Sequence, residues 1–321
     1  MLPTLAAQRY TDFAALVVDN GSTDGTVAYL EREWPGVDVL ALPHNVGFAA
    51  AVNRGIAATT GEYVALLNND IELDPDWLGE LVAALDSHAG AGSATPKLIV
   101  YHDRSLLDGA GDELSWSGVC TRRGYRQRDS GRYDVPEDVF SACGGAALYR
   151  RSALERIGSF DEDFFAYLED TDWGFRARLE GYGCRYVPSS RAYHMGGATT
   201  DRVSDLGTYL RRRNMIALVL KNYPARSLLR HSPALALEQL LGLALSVVQG
   251  TLRAQLRAWR DALRQLPATL RKRRAVQRRR VVGPAQLERL VTGDASGLRR
   301  VVRELRARSP VVLRQPSGEA S

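Results

Sequence analysis

The stretch EYVALLNNDIELDP, Glu62 to Pro75, decides the fold. Glu62 to Leu67 is a short apolar run bounded by polar residues, and it reads as a buried strand that runs out into Asn68-Asn69-Asp70. Asp74-Pro75 then reads as a helix start, with Asp as N-cap and Pro in the first helical position, and the helix runs to about Ser87. Strand, polar crest and helix form the repeating unit of an α/β sheet. The crest also poses a chemical question, because a divalent cation normally attracts more negative charge than the single carboxylate of Asp70 brings.

The same pattern extends in both directions. FAALVV (Phe13 to Val18), VDVLAL (Val37 to Leu42) and ATPKLIV (Ala94 to Val100) read as strands, while Thr26 to Glu33 and Gly47 to Ala58 read as helices. Such alternation predicts a mostly parallel sheet covered on both faces. In sheets of this kind ligands bind beyond the carboxyl ends of the strands, and three polar loops fall there: VVDNGSTDGT, LPHNVGFAAAVNRG and LLNNDIELDP. Taken singly, each is explained as a turn, since Asn and Gly suit tight turns, Ser and Asp cap helices, and short polar side chains satisfy strand-end backbone groups. Their recurrence at one edge, with an acid closing two of the strands, points instead to a binding site.

Bulk properties set the limits. A chain of 321 residues, 45% of them hydrophobic, can bury one large core, with or without an appendage. Cys120, Cys143 and Cys184 are widely spaced with no CxxC pair, which argues against a zinc cluster or disulfide framework and for a reducing compartment. The start lacks the charged and apolar regions of a signal peptide. The net charge of +5 is unevenly placed: residues 251 to 280 hold eleven Lys/Arg against Asp261, a balance of +10, so the remainder sums to −5.

VVDNGSTDGT, PHNVGFAAAVNRGIAATTGEYVALLNNDIELDPDWL and FDEDFFAYLEDTDWGFRAR, in that order, resemble the successive signatures of the family 2 glycosyltransferases, which have the GT-A fold. The resemblance covers roughly Leu5 to Gly197, and it is nearest to bacterial rhamnosyltransferase-type members that build cell-surface polysaccharides. It implies a Rossmann-like mixed α/β sheet over residues 1–204, followed by a helical, basic region over 205–321. It also implies an inverting enzyme that moves a sugar from a nucleotide diphosphate donor, with deoxythymidine diphosphate rhamnose as the first choice and UDP-sugars next.

Site residues follow from the resemblance position by position. Asp19 matches the acid that binds the nucleoside, with Asn20, Asn45, Gly47, Asn53 and Asn69 in the donor-binding set; Gly47 would admit close approach of the donor. Asp70 matches the last acid of the DxD-type motif, which holds Mg²⁺ or Mn²⁺ against the diphosphate. Magnesium commonly takes one or two carboxylates and completes its shell with phosphate and water, so one carboxylate suffices once the donor is present. Asn68 and Asn69 then shape the turn rather than ligate the ion. His194, in RAYHMGGAT, stands where many members place a metal-binding histidine; an isolated His is also commonly a packed residue, and both readings stand. Asp170 matches the catalytic base, with Glu169 beside it, although Glu169, Asp170 and Asp172 equally suit a helix's first turn above a core face of Trp173, Phe175 and Leu179.

Ala142, Cys143, Gly144 and Gly145 would let an acceptor lie close to the backbone, and an inverting transfer gives Cys143 no role as nucleophile. Ser105 to Pro136 reads only as a charged insertion on the acceptor side. The apolar strand with which family members open is not recognisable, and LPTLAAQRYTDF resembles the end of the following helix, so the expectation is an N-terminally truncated domain.

Beyond Asp205 the pattern turns helical. The run Leu240 to Val248 is too short to span a bilayer, which needs roughly 20 apolar residues, and it suits a core helix or an interfacial one equally. The neighbouring RKRRAVQRRR favours an anionic membrane surface, which places a lipid-linked glycan acceptor, and the protein, on the cytoplasmic inner face. Nucleic acid is disfavoured, because the basic residues lack interleaved aromatics and the acidic loops would repel phosphates. A nucleotidyltransferase acting on sugar phosphates, or a degenerate protein that only binds glycan or nucleotide, is the alternative.

Overall fold

A computed structural model of the chain describes residues 1–196 and 204–291. After a short helix α1 (Leu2–Ala6), the first half runs β1 (Leu16–Asp19), α2 (Thr26–Glu33), β2 (Asp38–Ala41), α3 (Phe48–Ala57), β3 (Tyr63–Leu67), β4 (Ile71–Leu73), α4 (Trp77–Asp86) and β5 (Ala91–Val100). Three short strands follow, β6 (Leu107–Gly109), β7 (Asp112–Leu114) and β8 (Cys120–Arg122), and then β9 (Glu137–Asp138), β10 (Ala146–Arg150), α5 (Arg151–Ile157), α6 (Glu169–Leu179) and β11 (Gly183–His194). Four helices close the described chain: α7 (Asp205–Asn222), α8 (Ala225–Val248), α9 (Leu252–Arg279) and α10 (Pro284–Leu290).

The sheet is mixed, as the family resemblance implies, whereas the strand-helix alternation alone predicts a mostly parallel one. β1 and β2 form a parallel pair, and a second sheet has the order β3-β10-β5-β11-β4, with β6 on β5 and β9 on β11. In that sheet only β5 and β11 run parallel. β10 enters antiparallel between β3 and β5, and β4 lies antiparallel on β11. The cause is local: β5 is followed by the hairpin partner β6 rather than by a crossover helix.

α4 begins at Trp77, two residues later than predicted, with Asp76 in the cap position. Asp74 instead forms the turn, its carboxylate accepting from Asp76 N at 3.2 Å and its carbonyl from Trp77 N at 3.0 Å. The helix then buries Trp77, Leu78, Leu81, Val82 and Leu85, a stripe at helical spacing that lies on the sheet. Trp173, Phe175 and Leu179 of α6 are all fully buried, as their spacing predicted.

The helical region is knit into the sheet domain. One apolar cluster joins Leu114, Phe140, Phe164 and Phe175 to Leu218 and Val219 of α7, to Tyr223 just beyond it, and to Leu287 of α10. Part of the basic run makes contacts within the protein: Lys272 pairs with Asp161 and Asp163, Arg273 donates to the carbonyls of Leu220 and Tyr223 at 2.6 Å, and Arg279 pairs with Glu180. Arg271, Arg274 and Arg278 remain exposed. The Leu240 to Val248 run is part of the 24-residue α8, which by length and composition is long and apolar enough to cross a membrane, with a mean hydropathy of 1.3 over an 18-residue window. Leu229, Leu237, Leu240, Val247 and Val248 on it are exposed.

Candidate active site

The first two polar loops brace one another. Asp19 closes β1, is 6% exposed, and accepts from Ser22 N at 3.1 Å, so the chain turns beneath its carboxylate. Asn20 donates to Asn45 Oδ1 at 3.1 Å and accepts from Val46 N at 2.9 Å, while Asn45 Oδ1 also accepts from Gly47 N at 2.9 Å.

Two residues of the donor-binding set also contact the segment around residue 160. Gly47 sits at φ +91°, and a Cβ there would stand 2.5 Å from Phe165 Cδ2 and 2.8 Å from Phe165 O, so the glycine makes room for Phe165. Asn53 donates to Phe160 O at 2.8 Å and Glu162 Oε1 at 3.0 Å and accepts from Phe160 N at 3.0 Å, which ties α3 to the 160 turn.

The pairing of β4 with β11 brings the third loop to its partner. His194 ends β11 opposite Ile71, so the imidazole falls beside Asp70, with Nε2 at 3.3 Å from Asp70 Oδ2. His194 Nδ1 lies 2.8 Å from Asp108 Oδ2, and Asp108 is paired in turn with Arg122. These bonds to Asp108 and Asp70 outweigh burial and push His194 up to about 9. Asp70 is held below the usual carboxylate range, first by its bond with His194. Its other oxygen, Oδ1, is buried with no hydrogen-bond partner. An orphaned carboxylate oxygen beside an imidazole suits an oxygen-seeking divalent ion. Among the described residues no group of three or more His, Cys, Asp or Glu could hold a metal, so two protein ligands would need help from a ligand of the donor's kind. Asn69 is exposed at the turn, and Asn68 N donates to Gly145 O at 2.8 Å.

Gly145 leads to the last cluster. Asp170, half-buried in the first turn of α6, accepts through Oδ2 from Gly144 N at 2.8 Å and through Oδ1 from Thr171 N at 2.7 Å. A Cβ on Gly144 would stand 3.3 Å from Asp170 Oδ2, so the small-residue run seats this carboxylate. Glu169, by contrast, is 5% exposed, and burial and then the charge of Asp170 push it up to about 8. Its Oε2 is buried with no hydrogen-bond partner. Asp172 is spent on Lys221 at 2.7 Å, Asn222 at 2.8 Å and Arg176 at 3.0 Å.

Sequence reasoning missed Asp108, Asp112 and Arg122, all from the uninterpreted insertion. Asp112 stands opposite Arg122 in the β7–β8 hairpin, and burial and then Asp170 push it up to about 8. The insertion therefore lines the site rather than only covering it, and only the hairpin register exposes this. Burial pushes the Cys143 thiol up to about 12, which agrees with its dismissal as a nucleophile.

The profile described as Glycosyl transferase family 2 matches residues 1–158. The N-acetylglucosaminyl-diphospho-decaprenol L-rhamnosyltransferase of Mycobacterium tuberculosis is 32% identical over 223 residues, spanning 62% of this chain and 71% of that protein. The pre-mycofactocin glycosyltransferase of the same organism is 30% identical over 186 residues, 56% of this chain and 37% of its own length. Among solved structures, GalNAc-T7 with UDP, GalNAc and Mn²⁺ superposes with a TM-score of 0.59 at 15% identity, over 79% of this chain and about half (51%) of that one. S. aureus TarS in complex with UDP-GlcNAc superposes with a TM-score of 0.55 at 18% identity, over 96% of this chain and 87% of that one. With this fold and this relative, the chain belongs to glycosyltransferase family 2 and is a glycosyltransferase of GT-A fold.

Proposed function

We propose that the chain transfers a sugar from a nucleotide diphosphate donor to a hydroxyl of a lipid-linked or cell-surface glycan, with inversion at the anomeric carbon. The observation that carries this is the seating of Asp170: a half-buried carboxylate fixed by two backbone N–H groups, one Gly-Gly step from the Asn68–Asp70 turn. Asp19 and the braced Asn20–Asn45 loop receive the nucleoside. Asp70 and His194 would hold Mg²⁺ or Mn²⁺, and such an ion would neutralise charge that develops on the leaving group. Asp108 fixes the tautomer of His194, leaving Nε2 for the ion. Asp170 takes the acceptor proton as the hydroxyl attacks. The rhamnosyltransferase relative favours dTDP-rhamnose as donor and a prenyl-diphosphate-linked glycan as acceptor.

The test is incubation with a panel of sugar nucleotides and Mn²⁺. Release of nucleoside diphosphate is the expected result; release of pyrophosphate would instead identify a nucleotidyltransferase, and donor binding without turnover a degenerate binding protein.

We place the protein peripherally on the cytoplasmic face of the membrane, through the region from 205 onward; residues 292–321 lie outside the described residues. The exposed leucines of α8 and exposed Arg271, Arg274 and Arg278 of α9 support this. Substituting those three arginines by Glu should release the protein from anionic liposomes in sedimentation, and unchanged pelleting would refute the placement.

A further inference from the structure

The turn that delivers Asp170 is strained. Phe165, Tyr167 and Leu168 hold φ of +63°, +70° and +67°, three of the four non-glycine residues with positive φ among the described residues. Side chains disfavour this region, so such a backbone persists only where its surroundings hold it. Here one helix does so. Asn214 of α7, 1% exposed, directs Nδ2 at the carbonyls of Phe164, Ala166 and Tyr167, at 2.9, 2.8 and 2.7 Å. Its Oδ1 accepts from Arg213 Nε and Nη2 at 3.0 and 2.8 Å, and Arg213 Nη2 also donates to the carbonyls of Asp163 and Phe164 at 2.8 and 2.9 Å. Further along α7, Lys221 and Asn222 grip Asp172, in the first turn of α6. The turn also reaches the donor side, because Phe165 packs over Gly47 and its carbonyl accepts from Ala49 N at 3.1 Å.

We infer that Asn214, oriented by Arg213, is a positioning residue: it sets the left-handed turn that aims Asp170 at the acceptor and keeps the base in register with the donor loop. The inference rests on Asp170 as the base. Misplacement of a reacting group by about an ångström can cost about a hundredfold in rate.

The experiment compares Asn214→Ala, Asn214→Asp and Asp170→Asn in one assay, each checked by thermal melting. Asn214→Asp keeps shape and the acceptor for Arg213 but loses the amide donor. Both Asn214 variants should lose about a hundredfold in kcat for transfer, with donor KM changed by no more than about threefold, the split expected when only a transition-state alignment is lost. Donor hydrolysis without acceptor should fall less than transfer, since water needs no aligned acceptor. Folded Asn214 variants that transfer at the wild-type kcat, while Asp170→Asn is inactive, overturn the inference. Wild-type transfer by Asp170→Asn overturns the base assignment on which it stands. Loss of folding in both Asn214 variants also overturns it, since the residue would then serve stability alone.

Discussion

Replacing Asp170 by asparagine is expected to lower kcat for sugar transfer by about a hundred- to ten-thousand-fold, the range that a general base contributes, while the KM for donor stays within a few-fold. The reasoning is positional. Asp170 is the half-exposed acid of its triplet, whereas Glu169 is buried and Asp172 is consumed by Lys221, Asn222 and Arg176. Asparagine fills the same space but cannot accept a proton. It also cannot accept from both Gly144 N and Thr171 N, because one of its two termini is a donor, so a loss of about 1–3 kcal/mol in stability accompanies the change. Melting measured beside kinetics separates the two effects. A large loss of donor affinity at normal kcat would show that Asp170 binds the donor rather than the acceptor proton.

Replacing Asp70 by alanine is expected to weaken Mn²⁺ binding to the nucleotide-bound protein by more than about a hundredfold. Even groups that only orient a metal ligand are worth about 10- to 100-fold in affinity, and Asp70 is one of the two protein ligands of the proposed site among the described residues. Asp108→Asn, which disturbs the orientation of His194 without removing a ligand, should give a smaller loss, about 10- to 100-fold. Free Mn²⁺ measured by electron paramagnetic resonance in the presence of nucleoside diphosphate reads both. Wild-type affinity in Asp70→Ala would remove the ion from this turn altogether.

Much of this organisation is legible in the chain. Helix α2 occupies Thr26–Glu33 as its pattern predicts, because Gly25 and Trp34 end a clean helical period on either side. The acids Asp19, Asp70 and Asp170 stand at strand or helix ends as motif order implies. What sequence cannot convey is which strands become neighbours. The reach of His194 to Asp70, and the entry of Asp108, Asp112 and Arg122, follow from the registers of β4 on β11 and β7 on β8. The contacts of Gly47 with Phe165 and of Asn53 with Phe160 are likewise invisible in the motif, because a glycine and an amide look alike there whether they touch ligand or protein. Nor do the internal partners of the basic run show in sequence: Lys272 and Arg273 find acids and carbonyls about fifty or more residues away, whose nearness only the fold creates.

The account stands most directly on the stereochemistry of transfer. Proton NMR of the product formed from an α-configured or β-configured sugar nucleotide, Mn²⁺ and a prenyl-diphosphate glycan acceptor would read the anomeric configuration of the new bond. One displacement driven by Asp170 predicts the opposite configuration to the donor, with one nucleoside diphosphate released per bond formed. Retained configuration would contradict it.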